Sequence, residues 1–216
     1  FNSYLYENRQ QLFQVSILMH FEQKRRFYQN EIVGKKHILL ALHGYGQLAQ
    51  YFYRKFHSLE NDFGLVIPEG PHRFYLEGSS GRVGASWMTK EWREQDIAEN
   101  TRYLLELTAE IRSSNSTAKL TLLGFSQGGA TAARVYQADP SLFSQLILWA
   151  SVFPPDIEKP VTSTGNMHFV LGTDDPYYTT ENQVKECAYF TEIGFQVHRF
   201  DGTHDLDASL LNQLLR

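Results

Sequence analysis

The sequence predicts an α/β fold, a mostly parallel sheet of eight strands opened by an antiparallel N-terminal hairpin, with helices on both faces and no lid domain. Three observations predict it. Short apolar runs alternate with segments of helical period along most of the chain. The runs are continuous rather than alternating, as in strands covered on both faces. Glycines and chemistry-bearing residues gather just after the runs, at the carboxyl ends of the strands, where such sheets carry their sites.

Residues Phe1–Gln10 are polar and show no period. Gln11–Glu31 carries alternating β-formers (Phe13, Val15, Ile17, Met19, then Phe27 and Ile32) and reads as two strands joined near His20–Gln23. Val33-Gly34-Lys35-Lys36 is a turn, and His37–Leu42 is the first fully apolar strand, ending in His43-Gly44-Tyr45-Gly46. Leu48, Phe52, Phe56 and Leu59 lie at helical spacing within Gln47–Asn61. A strand over Phe63–Ile67 stops at Pro68, and Glu69–Trp87 reads as a long, irregular, aromatic-rich loop. Ile97, Leu104, Leu107 and Ile111 share one face of a long helix over Trp92–Arg112.

The strand at Leu120 runs into Gly124-Phe125-Ser126-Gln127-Gly128, followed by the helix-forming stretch to about Ala138. Strands follow at Gln145–Ala150 and Met167–Leu171, separated by a proline-containing connector, Ser151–Asn166, that is too short for a lid domain. Thr180-Glu181-Asn182-Gln183 has the pattern of a capping box opening the next helix. Phe195–Phe200 is the last strand, and Asp205–Leu215 the closing helix.

The chain has 216 residues, 42% hydrophobic and 20% charged, the size and composition of one domain over residues 1–216 with its own core. A net charge of −4 argues against a nucleic-acid partner. The basic clusters Lys24-Arg25-Arg26 and Lys35-Lys36 read as solvated turns, and the sequon Asn115-Ser116-Thr117 is a weak signal. The lone cysteine, Cys187, excludes an intrachain disulfide and reads as a packing residue; this is compatible with a reducing compartment without demanding one, and a cytoplasmic location is expected. No apolar run has membrane-spanning length, so no membrane span is expected.

The serine carries the chemistry. A strand, a sharp turn and a helix with Ser126 at the turn is the setting in which G-x-S-x-G forms a nucleophile elbow. Glycines on either side avoid collisions that a Cβ would make in so tight a turn. The helix beginning there directs free N–H groups and its positive dipole end to the same place. Of the eight histidines, His37, His57, His168 and His198 fall inside predicted elements and read as structural. His204 sits in the loop after the last strand, on the rim that carries Ser126, and is the candidate base. Leu171-Gly172-Thr173-Asp174-Asp175-Pro176 ends another strand and offers two aspartates to orient it. Pro176 biases Asp175 towards an extended backbone, which favours it without deciding between the two. The chain order Ser, Asp, His is that of an α/β-hydrolase. The backbone N–H groups of Tyr45 and Gln127 are the candidate oxyanion donors, and His43 reads as support beneath the first of them.

Four blocks, Leu42-His43-Gly44-Tyr45-Gly46, Gly124-Phe125-Ser126-Gln127-Gly128-Gly129, Gly172-Thr173-Asp174-Asp175-Pro176 and Gly202-Thr203-His204, together with Ala85-Ser86-Trp87, resemble the phospholipase/carboxylesterase family of α/β-hydrolases. That family includes acyl-protein thioesterases and small bacterial carboxylesterases. The resemblance runs from about Lys36 to the C-terminus. It implies that Asp175 is the catalytic aspartate, and that acyl esters or thioesters are hydrolysed with no metal and no cofactor. Members often carry Asp or Asn shortly after the H-G-x-G block, where this chain has Gln47-Leu48.

The expectation is therefore a serine esterase acting through an acyl-enzyme on a small-molecule acyl ester or thioester. A carboxylesterase is favoured, with an acyl-protein thioesterase or lysophospholipase as the alternative. A peptidase and an inactive binding module are remote, since no access-restricting domain is present and no triad member is missing. An open cleft walled by Tyr45, Phe74, Tyr75, Trp87, Met88 and Phe153 is expected above the serine.

Overall fold

A computed structural model describes residues 23–159 and 166–216. The main sheet has seven strands: β1 (Phe27–Gln29), β2 (His37–Leu42), β3 (Gly64–Pro68), β6 (Lys119–Phe125), β7 (Gln145–Trp149), β8 (Asn166–Gly172) and β9 (Gln196–Phe200). They lie in the order β1-β3-β2-β6-β7-β8-β9, and every pair is parallel except β1 with β3. The mostly parallel sheet is as expected, and among the described residues it has seven strands where eight were expected. The first strand of the expected N-terminal hairpin falls in residues 1–22, outside the described residues. The antiparallel partner of β1 is β3, with Phe27 facing Pro68.

From β2 the chain steps one way to β3, then turns back past β2 to β6 and onward to β9. Right-handed crossovers in opposite directions place their helices on opposite faces. Helix α1 (Ala49–Tyr53) therefore lies on one face, and α2 (Arg93–Ser114), α3 (Gln127–Ala138) and α4 (Thr180–Glu192) on the other. The closing helix α5 (Ala208–Leu214) returns to the α1 face, where Lys55 pairs with Asp205 at 2.6 Å. The central strands are buried along almost their whole length, which is why they read as unbroken apolar runs. Residues Gly124 of β6 and Leu42 of β2 are register partners, so these two strands end level. The reversal of strand order falls between them, and open α/β sheets carry ligand sites at such a point.

Three local expectations are corrected. The segment 69–87 is not an irregular loop. It contains a second, two-stranded antiparallel sheet, β4 (His72–Glu77) and β5 (Ser80–Ser86). Gly78 and Gly81 take positive φ (65° and 88°) at its tip, which favours glycine. Most of β4 and the first half of β5 are exposed, so no apolar run marks these strands in the sequence. The helix expected over 47–61 is shorter, passing after Tyr53 into a 3-10 turn, Arg54–Leu59. The cap of α4 is Thr179 rather than Thr180, its hydroxyl accepting from the Asn182 N–H at 3.2 Å. Gln183 is instead buried between loops, donating to the Thr173 carbonyl and accepting from Arg199.

Candidate active site

Ser126 follows the last residue of β6 and caps α3 with φ 53° and ψ −120°. A non-glycine residue in the left-handed region is strained by about 1–3 kcal/mol and persists only when its surroundings fix it. Here they do: the Ser126 N–H donates to the Trp149 carbonyl at 2.8 Å, and its carbonyl accepts from the Gly129 N–H at 2.9 Å. The glycines have a steric reason. A Cβ on Gly128 would strike the carbonyl oxygens of Leu42 and His43, and one on Gly124 would strike Gly128 and Gly129. The start of α3 is thus pressed against the end of β2. A Cβ on Gly44 would lie 3.2 Å from the Ser126 Cβ, so the loop after β2 reaches the serine.

His204 and Asp175 meet in the loops after β9 and β8. The His204 Nδ1–H donates to Asp175 Oδ2 at 2.7 Å, and the carboxylate is fully enclosed. Its other oxygen accepts the Tyr177 N–H at 3.0 Å. Asp174 is exposed, and its N–H donates to the Gly202 carbonyl at 2.9 Å, tying the two loops together. Local sequence physics left two aspartates; the fold brings Asp175 to the histidine and turns Asp174 outward. On its flanks the imidazole meets Phe125, the residue before the serine, at 4.9 Å between centroids, and Tyr177 at 4.5 Å. Tyr177 escaped the sequence reading. Its only signal was an aromatic two positions past the chosen aspartate.

The two candidate oxyanion donors are joined by a continuous chain of buried contacts. Gln127 is the first residue of α3, so its N–H has no partner within the helix. Its side-chain oxygen accepts the Trp87 N–H at 3.0 Å, and its amide donates to the Met88 carbonyl at 3.1 Å. The Trp87 indole N–H donates to the His43 carbonyl at 2.8 Å, and the two rings lie 5.1 Å apart. His43 Nδ1–H donates to the Gly44 carbonyl at 2.8 Å, and Nε2 accepts the Gly70 N–H at 2.9 Å. Both nitrogens are therefore engaged by a neutral ring, and burial pushes its pKa down to about 4. His43 supports the loop, as expected. Gln47, where related proteins often carry Asp or Asn, accepts the Gly44 N–H at 3.0 Å and closes the turn that holds Tyr45. The Gly46 N–H donates to the Ala85 carbonyl at 2.8 Å, fastening the same turn to the β4–β5 hairpin.

At the base of that hairpin, the enclosed Glu69 carboxylate accepts from Arg26 at 2.6 Å and from Arg73 at 2.7 Å. Paired with these guanidinium groups, its pKa stays below the usual carboxylate value despite burial. In the connector after β7, Asp156 is gripped by Arg134 of α3 at 2.6 Å and Arg93 of α2 at 2.8 Å. These bonds hold its pKa well below the carboxylate range and pin the described part of the connector after β7.

The expected cleft wall is only partly realised. Tyr45 and Tyr75 are exposed, the Phe74 ring lies tilted against Tyr45 at 5.0 Å between centroids, and Met88 is half-buried. Trp87 and Phe153 do not face a cleft. Trp87 is fully buried because its indole serves the His43 carbonyl, and Phe153 is packed among Tyr189, Phe190 and Phe195. Among the described residues no group of three or more His, Cys, Asp or Glu side chains is arranged to hold a metal. His168 and His198 lie within the sheet, paired with each other at 2.9 Å on strands β8 and β9. Cys187 is half-buried, and burial pushes its thiol pKa up. Among the described residues no helix is long and apolar enough to cross a membrane.

The family model described as serine hydrolase (FSH1) matches residues 32–207. No curated protein matches the sequence. Solved structures do match at the level of fold. A carboxylesterase from Mesorhizobium loti is 17% identical with a TM-score of 0.67, the match covering 85% of this chain and 90% of that one. An acyl-protein thioesterase 2 from Zea mays is 16% identical with a TM-score of 0.66, over 88% and 96%. A carboxylesterase from Bacillus cereus is 15% identical with a TM-score of 0.63, over 88% and 91%. These neighbours bear out the α/β-hydrolase fold, and together with the family model they bear out the resemblance to serine hydrolases of that fold.

Proposed function

This chain belongs to the serine hydrolase (FSH1) family, and we propose that it cleaves carboxylic esters through an acyl-enzyme on Ser126, with His204 as base and Asp175 as its orienting partner. One observation carries the reading: the 2.7 Å bond between His204 and the enclosed Asp175, with the imidazole set against the residue preceding the strained serine.

The proposed steps are these. With Nδ1–H held by Asp175, His204 Nε2 is the basic nitrogen. Ser126 Oγ attacks the carbonyl carbon and its proton passes to Nε2. The developing oxyanion accepts hydrogen bonds from the Tyr45 and Gln127 N–H groups, each worth about 3 kcal/mol in the transition state. Collapse expels the alcohol, which takes the proton from Nε2 and leaves the acyl group on Ser126. Water, deprotonated by His204, then releases the acid. The same steps would serve a thioester, with a thiol in place of the alcohol as leaving group, and an acyl-protein thioesterase is the alternative reading.

A fluorophosphonate probe is expected to label Ser126, and Ser126→Ala to lose both labelling and turnover of p-nitrophenyl esters. A wild-type protein that ignores the probe and a panel of such esters overturns the reading.

A further inference from the structure

We propose that Tyr177 is a positioning residue for the reaction: its ring closes the solvent side of the His204 imidazole and keeps Nε2 aimed at Ser126 through both halves of the cycle. The inference rests on the esterase reading above and adds to it a residue outside Ser126, His204 and Asp175.

One hydrogen bond does not fix an imidazole. The bond from His204 Nδ1–H to the enclosed Asp175 gives Nδ1 a set partner. The ring can still swing about that bond, and the swing carries Nε2, the nitrogen that receives the serine proton. Contacts on the flanks of the ring oppose it. Phe125 supplies one, at 4.9 Å between centroids. That ring is itself buried and set against Phe52 at 5.9 Å, so it forms a rigid floor. Tyr177 supplies another, at 4.5 Å with 61° between the planes, a favoured edge-on arrangement. Phe125 is 2% exposed and Tyr177 76%, so the tyrosine approaches the imidazole from solvent.

Tyr177 is tied to the carboxylate that orients the histidine. Its N–H donates to Asp175 Oδ1 at 3.0 Å, the oxygen that His204 leaves free. The Tyr178 N–H donates to the Asp175 carbonyl at 3.2 Å, closing a turn over 175–178, and Pro176 fixes φ inside it. The ring is therefore carried on a turn clamped to Asp175, and carboxylate, imidazole and tyrosine hold one relative geometry. A side chain this exposed adds little to the core. The flat ring, not the hydroxyl, makes the contact. His204 handles a proton in acylation and again in deacylation, whereas the alcohol is present only in the first. A residue that acts through His204 serves both halves; one that touches the alcohol serves acylation alone.

The test is a single-turnover experiment on p-nitrophenyl butyrate with enzyme in excess, in the wild type, Tyr177→Ala and Tyr177→Phe. Release of p-nitrophenol reads acylation, and quenched samples assayed for free butyrate read deacylation. A misplacement of about 1 Å can cost about 100-fold, and a ring freed on one flank is misplaced for part of the time. Tyr177→Ala is therefore expected to lower both rate constants about tenfold, by similar factors, and Tyr177→Phe to stay within about twofold of wild type. The downfield NMR resonance of the His204 Nδ1 proton should be sharp in the wild type and in Tyr177→Phe, and broadened by exchange with water in Tyr177→Ala. Because Tyr177 is exposed, the alanine variant is expected to melt within about 2 °C of wild type. Val184→Ala, on the exposed face of α4, is expected to change none of these. Three results overturn the role: both rate constants and the resonance unchanged in Tyr177→Ala, an equal loss in Tyr177→Phe, or a loss confined to acylation, which marks a contact with the alcohol. Fluorophosphonate labelling of Ser126 is measured on the same samples. A labelled, active wild type with an unaffected alanine variant refutes the positioning role alone, whereas an unlabelled, inactive wild type refutes the esterase reading, and the role falls with it.

Discussion

Replacing Trp87 with phenylalanine removes one N–H and keeps most of the ring that fills the core. That N–H is the donor to the His43 carbonyl, 2.8 Å away in a fully enclosed setting. Leaving a buried acceptor unpaired costs about 1–3 kcal/mol, which for a chain of this size lowers Tm by roughly 2–4 °C per kcal/mol. The effect on catalysis is separate. The freed carbonyl lies between β2 and Gly44-Tyr45, and the same tryptophan's backbone N–H is held by the Gln127 side chain at 3.0 Å. Trp87 thus links the segments that carry both candidate oxyanion donors. Losing one donor outright costs about 100–1000-fold in kcat. A displaced donor loses part of that, so a fall of about 10–100-fold is expected, in kcat rather than KM. Steady-state kinetics on p-nitrophenyl butyrate, a thermal melt and the affinity for an alkyl boronic acid, which mimics the tetrahedral intermediate, measure these together. Boronate affinity should fall in step with kcat. If Trp87→Phe melts lower but keeps kcat and boronate affinity within about twofold of wild type, the tryptophan is only a core residue and the linkage argument fails.

Two more predictions follow from the site and its surroundings. Asp175→Asn should lower kcat about 10³–10⁴-fold by favouring the wrong imidazole tautomer, while Asp174→Asn stays within about twofold; comparable losses in both would show that the 2.7 Å bond does not select the partner. Acid stability is the other. Burial lowers the pKa of His43 and of His168 to about 4, from the ordinary value of 6.5. The unfolded chain therefore binds more protons than the folded one between pH 4 and 6.5, and this contribution is whole above 6.5 and lost as pH falls towards 4. At most about 3 kcal/mol comes from each. The urea midpoint should drop across that window, and His168→Leu should flatten part of the slope; an unchanged slope would mean that His168 is free to protonate in the folded protein.

How much of this was legible beforehand depended on what made each residue necessary. The β2, β3, β6, β7 and β8 strands declared themselves because both faces are buried, so nearly every position had to be apolar. Ser126 declared itself because the elbow needs glycines at fixed offsets, and His204 because its loop stands alone before the last helix. The β4–β5 hairpin stayed hidden. Its outer strands are solvated, and a mixed, glycine-containing sequence there resembles a loop. The capping residue of α4 was missed by one place because Thr179 and Thr180 are the same chemistry in adjacent positions, and only the backbone turn selects between them.

The chain by itself determined which residues are candidates for the site, since the spacing of Gly124, Ser126 and Gly128 and the order of strand-end residues are one-dimensional signals of local geometry. Only the tertiary structure decided between Asp174 and Asp175, turned Trp87 and Phe153 from the cleft into the core, and set the Tyr177 ring against His204. Each of those outcomes depends on which atoms from distant segments share one space. A sequence states that a side chain is large, acidic or aromatic; whether it faces solvent, a histidine or a carbonyl is set by the neighbours that folding supplies.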